Sequence, residues 1–468
     1  MSSLQAATPG AVKSHLKPQT GKSRTRSRPW KWALSVLCVL VVAISSLIAY
    51  RARHVHVDLF SSAVGIAPNG ARVLLPAQST NAAFYPNSRV LRVPADGLAS
   101  DRVNAERRAA EQAAWLASGT VPGQNSKYDD MVQTALLDLN TLTLPKEGVT
   151  VAGWSAKWRY VWPRDAAFTA AAFAETKHYG EALSTLEFLQ EMQATDGIFE
   201  ARYKPDGSGT PDERGVQLDG TGWALWGAAR VIATLPAAEQ PDALRRLELL
   251  ITRSTEASLR LTASNTALPP VSSDYWETRE TRLTIGTAAP ILAGLEAGAQ
   301  LATMNREPEL ASALTTRAQK TALAISDKFG KAGYPRSLGD SGSDAAITFL
   351  APPFAGPVAD DITVSIKNAQ SSMLRPAGGL APGATWKSDG ISWTPETALF
   401  AWSAAATGDS ATASKWLDWL DAHRTPAGSL PEKVLSNGDP AAVAPLAWTA
   451  AAVILAVSEL CESEPTSC

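Results

Sequence analysis

The sequence predicts an all-α protein: a closed (α/α)6 barrel of six helical hairpins behind one N-terminal transmembrane helix. Three observations predict it. From Asp101 almost to the end, Ala-rich segments repeat apolar residues at helical spacing. Their connections alternate between tight turns and long loops rich in Gly, Pro and Trp. Near the N-terminus, one uncharged run is long enough to span a bilayer.

Residues 1–31 are rich in Ser, Pro, Lys and Arg and cannot bury a core, so a disordered basic tail is expected there. The run Trp32 to Tyr50, WALSVLCVLVVAISSLIAY, follows without a charge over nineteen residues. Its length and the poor small-residue cleavage pattern favour an uncleaved signal anchor over a cleaved signal peptide, which would leave the protein secreted. Basic residues cluster ahead of the run, which places the N-terminus in the cytoplasm and the main body outside. Residues 51–100, with Val/Leu runs broken by Pro, Gly and Asn, read as a short extended stalk or a β-ribbon against the main body.

Residues 101–460 form the main domain in this reading, and 461–468 a tail. Helices are expected at 102–118, 129–142, 165–177, 180–193, 220–235, 241–263, 284–305, 307–329, 344–350, 359–372, 393–407, 409–423 and 443–460. Setting the first aside leaves twelve, or six hairpins. Tight turns at 178–180, 306–308 and 408–409 belong to one rim of the barrel; the long loops 143–164, 194–219, 264–283 and 374–392 belong to the functional rim. An α-solenoid is the alternative architecture, but no fixed repeat period supports it.

The net charge of −2 and the 19% of charged residues give no field for nucleic acid. Of three cysteines, Cys38 falls in the apolar run, and Cys461 and Cys468 are able to pair in the tail. No metal or other cofactor is expected, and a monomer is. Tryptophan, at fifteen, outnumbers Phe and Tyr and suits either sugar rings or an ordinary core.

The long loops carry the chemistry. Loop 143–164 ends in Trp158-Arg159-Tyr160-Val161-Trp162-Pro163-Arg164-Asp165, where aromatics beside an Arg-Asp pair can stack on a ring and bond its hydroxyls; Asp165 equally suits a helix cap. Loop 194–219 ends in Gln217-Leu218-Asp219-Gly220-Thr221-Gly222. In Ser273-Asp274-Tyr275-Trp276-Glu277, apolar contact from Trp276 is expected to raise the pKa of Glu277, which suits a general acid. Leu430-Pro431-Glu432-Lys433 places another carboxylate before the last helix, or else a Glu-Lys surface pair. Two rim carboxylates with aromatics and an Arg-Asp pair between them are the parts of a glycoside hydrolase.

Trp162-Pro163-Arg164-Asp165, Gln217 to Gly222, Trp276-Glu277 and Leu430-Pro431-Glu432 occur in the order seen in glucoamylase-like enzymes of glycoside hydrolase family 15, which this chain resembles over roughly residues 128–458. The closing Pro445-Leu446-Ala447-Trp448-Thr449 is similar too. The resemblance implies a six-hairpin glycosidase barrel and an inverting, exo-acting hydrolase that releases glucose from an α-glucan or α-glucoside. It implies Glu277 as general acid, Glu432 as general base, and sugar binding by Arg164, Asp165, Trp162, Trp276, Trp158 and Asp219. Thr278 stands where many members have a second acidic residue, and Thr281-Arg282-Leu283-Thr284 replaces a more aromatic stretch. These departures point away from starch toward a cell-surface or periplasmic α-glucan.

Rival readings are few. Gly339-Asp340-Ser341-Gly342 resembles a serine-protease nucleophile loop but lies between helices. Asp129-Asp130 lacks the third acidic residue of a Mg²⁺-binding motif, Gln133 standing there. A catalytically inactive, membrane-tethered glycan-binding protein on the same barrel is the alternative from another class.

Overall fold

In a computed structural model, residues 36–42 and 55–464 are described. The expected membrane span 32–50 lies largely outside them: Val36 to Val42 is helical, and among the described residues no helix is long and apolar enough to cross a membrane. The tail's Cys461 is disulfide-bonded, and its expected partner Cys468 lies outside the described residues.

Residues 99–463 are helical in the expected order: α1 (Ala99–Ser118), α2 (Asp129–Leu142), α3 (Pro163–Glu175), α4 (Tyr179–Met192), α5 (Asp219–Thr234), α6 (Gln240–Arg246), α7 (Glu248–Leu261), α8 (Ile285–Met304), α9 (Pro308–Phe329), a 3-10 helix (Ala345–Leu350), α10 (Asp360–Ser372), α11 (Thr394–Ala406), α12 (Ser410–Ala422) and α13 (Ala447–Ser463). An inner ring runs α3, α5, α8, the 3-10 helix, α11 and α13, and closes as α13 packs on α3. Each inner element carries an outer partner: α4, α7, α9, α10, α12 and α2 in the same order.

The inner helices are buried on nearly every face, which is why they are Ala- and Gly-rich rather than amphipathic. Backbones touch where they cross: a Cβ on Gly222 of α5 would lie 2.0 Å from the Pro290 carbonyl oxygen of α8. Pro at the first turn starts α3, α9 and α11, and the Thr284 and Asp409 side chains cap α8 and α12. The middle of the ring is filled by Phe168, Trp223, Trp226, Phe349, Phe354 and Trp402, with neighbouring ring centroids 4.7–5.9 Å apart.

Two expectations are corrected. The helix expected over 241–263 breaks at Leu247, whose side chain is fully buried. Gln190 of α4 satisfies the break, donating to the Arg246 carbonyl at 3.0 Å and accepting from Leu250 N–H at 2.9 Å. The last helix starts at Ala447 rather than 443, because Pro440–Ala441 is a strand (β5) paired with β4 (Lys433–Val434), itself paired with β3 (Ser392–Trp393). Residues 55–98 are extended, with a hairpin of β1 (Val64–Ile66) and β2 (Arg72–Leu74), and belong to the same compact unit as the helices. Buried Arg89 ties them down, donating to Asp138 of α2 at 2.6 Å and to the Ala427 carbonyl at 3.0 Å.

Candidate active site

The long loops at one rim surround a cavity of about 230 Å³. Loop 143–162 contributes Lys157, Trp158 and Trp162; loop 193–218 contributes Arg202 and Arg214; loop 262–284 contributes Tyr275, Trp276 and Glu277. Trp386, Trp393 and Glu432 come from the loops after α10 and α12, and Arg164, Asp165, Glu396 and Trp448 from first turns of inner helices. Glu277 and Glu432, far apart in the chain, thus face one cavity. The ring's aromatic filling lies beneath it: Trp448, in the wall, is 5.9 Å from Phe168.

A buried network holds the Glu277 loop. The Arg336 guanidinium donates to Asp274 at 2.8 Å, Glu280 at 2.6 Å and Asp344 at 3.0 Å. The Tyr275 hydroxyl donates to Asp344 at 2.6 Å, and the Trp276 N–H donates to Asp274 at 3.0 Å. Glu277 itself sits in the left-handed region with φ +55°, its N–H on the Asp274 carbonyl at 2.8 Å. A non-glycine residue persists there only when its surroundings over-determine it, and this network does so. The Trp276 ring is itself engaged by a cation. Trp276 stacks on Arg336, 3.6 Å from the guanidinium carbon, and meets Trp386 edge-on. Glu277 instead accepts from the Trp162 indole N–H and pairs with Arg214.

Glu432 immediately precedes β4, pinned by its N–H on the Val443 carbonyl and by Thr394 N–H on its own carbonyl. It is 8% exposed, and burial pushes its carboxyl up against the opposing pull of Lys433. Lys433 Nζ lies 3.2 Å from Oε2, an ion pair whose angles fall short of a hydrogen bond, and rests on the Trp393 ring at 4.2 Å. The Glu-Lys pair therefore exists, but inside the site rather than on the surface.

Arg164 is 6% exposed, donates to Asp165 at 3.0 Å and lies 4.4 Å over the Trp448 ring. Its Nε and Nη1 have no hydrogen-bond partner, leaving donors beside the cavity. Trp162 rather than Asp165 stands at the N-cap of α3, and Asp165, in the first turn, is engaged by Arg164. Asp219 stands apart: it does not line the cavity but lies behind Arg164, 3.9 Å from Nη1. Burial pushes it up to about 7 although the Arg164 charge opposes this.

Two features of the site were not anticipated. Glu396, in the first turn of α11, is 2% exposed; burial pushes it up to about 8, the negative charge of Glu432 adding to the effect. Its Oε2 has no partner. The Glu277 side is also basic, with Lys157, Arg202 and Arg214 facing the cavity and Asp212 bridging the two arginines.

No family model matches the chain. Over 307 residues it is 25% identical to the curated isomaltose glucohydrolase of Kribbella flavida, spanning 60% of this chain and 76% of that protein. Among solved structures, a wild-type glycosidase is 22% identical with a TM-score of 0.59, covering 71% of this chain and 96% of its own. A bacterial glucoamylase complexed with acarbose is 16% identical with a TM-score of 0.62, covering 77% and 59%. The glucoamylase of Saccharomycopsis fibuligera is 14% identical with a TM-score of 0.56, covering 75% and 96%. These likenesses show a glucoamylase-like, six-hairpin (α/α)6 fold.

Proposed function

We propose that this glucoamylase-like barrel is a glycoside hydrolase that releases glucose from an α-glucoside by inversion, with Glu277 as general acid and Glu432 as general base. The observation that carries the reading is the meeting of these two carboxylates in one Trp-walled cavity with the open donors of Arg164. Aromatic packing behind the cavity wall, Phe168 against Trp448, suits exo action on a terminal sugar. Glu277 protonates the glycosidic oxygen as the bond to the anomeric carbon breaks. Glu432 takes a proton from the water that attacks the opposite face, so glucose leaves as the β-anomer. Lys433 beside Glu432 favours the ionised form that a base needs. Arg164, held by Asp165 with Asp219 behind it, bonds the sugar hydroxyls, and Trp158, Trp162 and Trp276 shape the subsite. The similarity to an isomaltose glucohydrolase makes α-1,6-linked glucosides the first substrates to try. Residues 32–50, uncharged and preceded by basic residues, support a membrane anchor with the barrel outside.

Full-length protein in detergent, incubated with isomaltose, maltose, trehalose and α-glucans, is expected to release β-glucose first in proton NMR. Early α-glucose would sink the inverting mechanism. The Arg214–Glu277 pair is the one observation that favours an inert glycan binder. Silence across the panel with glycan binding intact would favour that second reading.

A further inference from the structure

The charges on the two sides of the cavity are unequal. Lys157, Arg202 and Arg214 line the cavity with Glu277, and among the described residues the two arginines share one further ion-pair partner, Asp212. Arg202 is committed: buried, it donates to the Lys157 carbonyl at 2.9 Å and lies over the Tyr160 and Trp162 rings. Among the described residues the Lys157 ammonium has no ion-pair partner. Arg214 is the movable member. Its side chain is 38% exposed, and Gly215 next to it sits at φ +81° with nothing within 4 Å of its Cβ position.

A general acid must carry its proton when substrate is bound, and protonating Glu277 removes the charge that Arg214 pairs with. Arg202 and Arg214 are then left with Asp212 alone between them, beside the unpaired Lys157. We propose that the substrate restores the balance: its leaving group bears an anion, a carboxylate or a phosphate, near the glycosidic oxygen, and Arg214 moves from Glu277 onto that anion. This rests on the assignment of Glu277 as acid, since the acid defines the side on which the leaving group lies. A neutral aglycone leaves Arg214 on Glu277, so the same residue admits anionic glucosides and holds back neutral ones.

The test compares isomaltobionate and maltobionate with isomaltitol and maltitol, the same skeletons ending in a hydroxymethyl instead of a carboxylate. A parallel series phosphorylated on the leaving sugar tells the two anions apart. Two readouts are taken on the full-length protein: kcat/KM for glucose release, and Kd by calorimetry on Glu432→Gln, which needs no turnover. The anionic member is expected to lead by on the order of tenfold to a hundredfold, as for one charge-assisted hydrogen bond. Arg214→Gln should bring that ratio close to one, and added salt should shrink it. Equal constants for anion and alditol in both readouts overturn the proposal, and glucose release in that case leaves the hydrolase reading standing. Preferential anion binding without any release upholds the ligand class and sinks the hydrolase reading. A preference that survives Arg214→Gln removes Arg214 from the account.

Discussion

Replacing Glu396 by Gln tests the electrostatics of the site without changing its shape. The carboxyl titrates near 4.5 when free and is pushed up to about 8 in the fold, by burial first and then by Glu432. Below pH 4.5 both folded and unfolded chains hold the proton, so folding bears no cost from this group. Between 4.5 and 8 the unfolded chain releases it and the folded chain keeps it, so stability falls as pH rises. Above 8 both have released it and the full deficit remains. At pH 7 the two-and-a-half-unit interval corresponds to about 3 kcal/mol. An amide has the same outline and no charge to desolvate, so Glu396→Gln should match the wild type at pH 4.5. It should exceed it by up to about 3 kcal/mol at pH 7, the gap widening to pH 8. Denaturant unfolding at pH 4.5, 7 and 8.5 reads this directly as a divergence of midpoints at constant slope. Parallel stability curves over that range, or a variant weaker at pH 8.5 than at pH 4.5 relative to wild type, would refute the reasoning.

Other changes probe the remaining joints. Glu277→Gln and Glu432→Gln should each lower kcat by about 10²–10⁴-fold with the native fold retained by circular dichroism, as expected for lost proton transfer. Arg336→Met strands the fully buried Asp274 and Asp344; a cost of about 3–5 kcal/mol in denaturant unfolding is expected, with reduced turnover from a loosened Glu277 turn. Gly222→Ala drives a methyl into the Pro290 carbonyl, which should cost at least about 1–3 kcal/mol and lower the thermal midpoint by several degrees. Deleting residues 1–54 should move the protein from the membrane to the soluble fraction with its rate on small glucosides unchanged. Retention in the membrane would end the anchor reading.

Much of the helical order was legible because hairpins leave two strong marks: apolar spacing inside the helices, and Gly, Pro or Asp at the joints. The break at Leu247 left neither, since the partner that compensates it, Gln190, lies on another helix. The motif carboxylates were legible from their aromatic neighbours, but their partners were not. Trp276 beside Glu277 reads as an apolar wall, yet Arg336, distant in sequence, takes the indole face and leaves Glu277 to Trp162 and Arg214. Glu396 was hidden by a commonplace: Thr-Pro-Glu at a helix start reads as a carboxylate complementing the helix dipole. Only the ring's closure reveals that this first turn faces the cavity rather than solvent.

The tryptophans show what a finer reading of the sequence can recover. Each one suits core or ligand equally by composition, but in a barrel whose functional rim is the N-terminal end of the inner helices, offset from the helix start sets depth. Trp158, Trp162, Trp276, Trp386 and Trp393 lie in the rim loops and Trp448 one residue into α13, and all six line the cavity. At about 1.5 Å per residue, Trp223 sits roughly 6 Å and Trp402 roughly 12 Å below the rim along α5 and α11, and both are fully buried. The same measure places Arg164, Asp165 and Glu396 within the first turn, at cavity level. Asp219, although it opens α5, lies outside the lining because Arg164 stands in front of it. Helical offset therefore selects the candidates, and the side chain in front decides which of them meets the sugar.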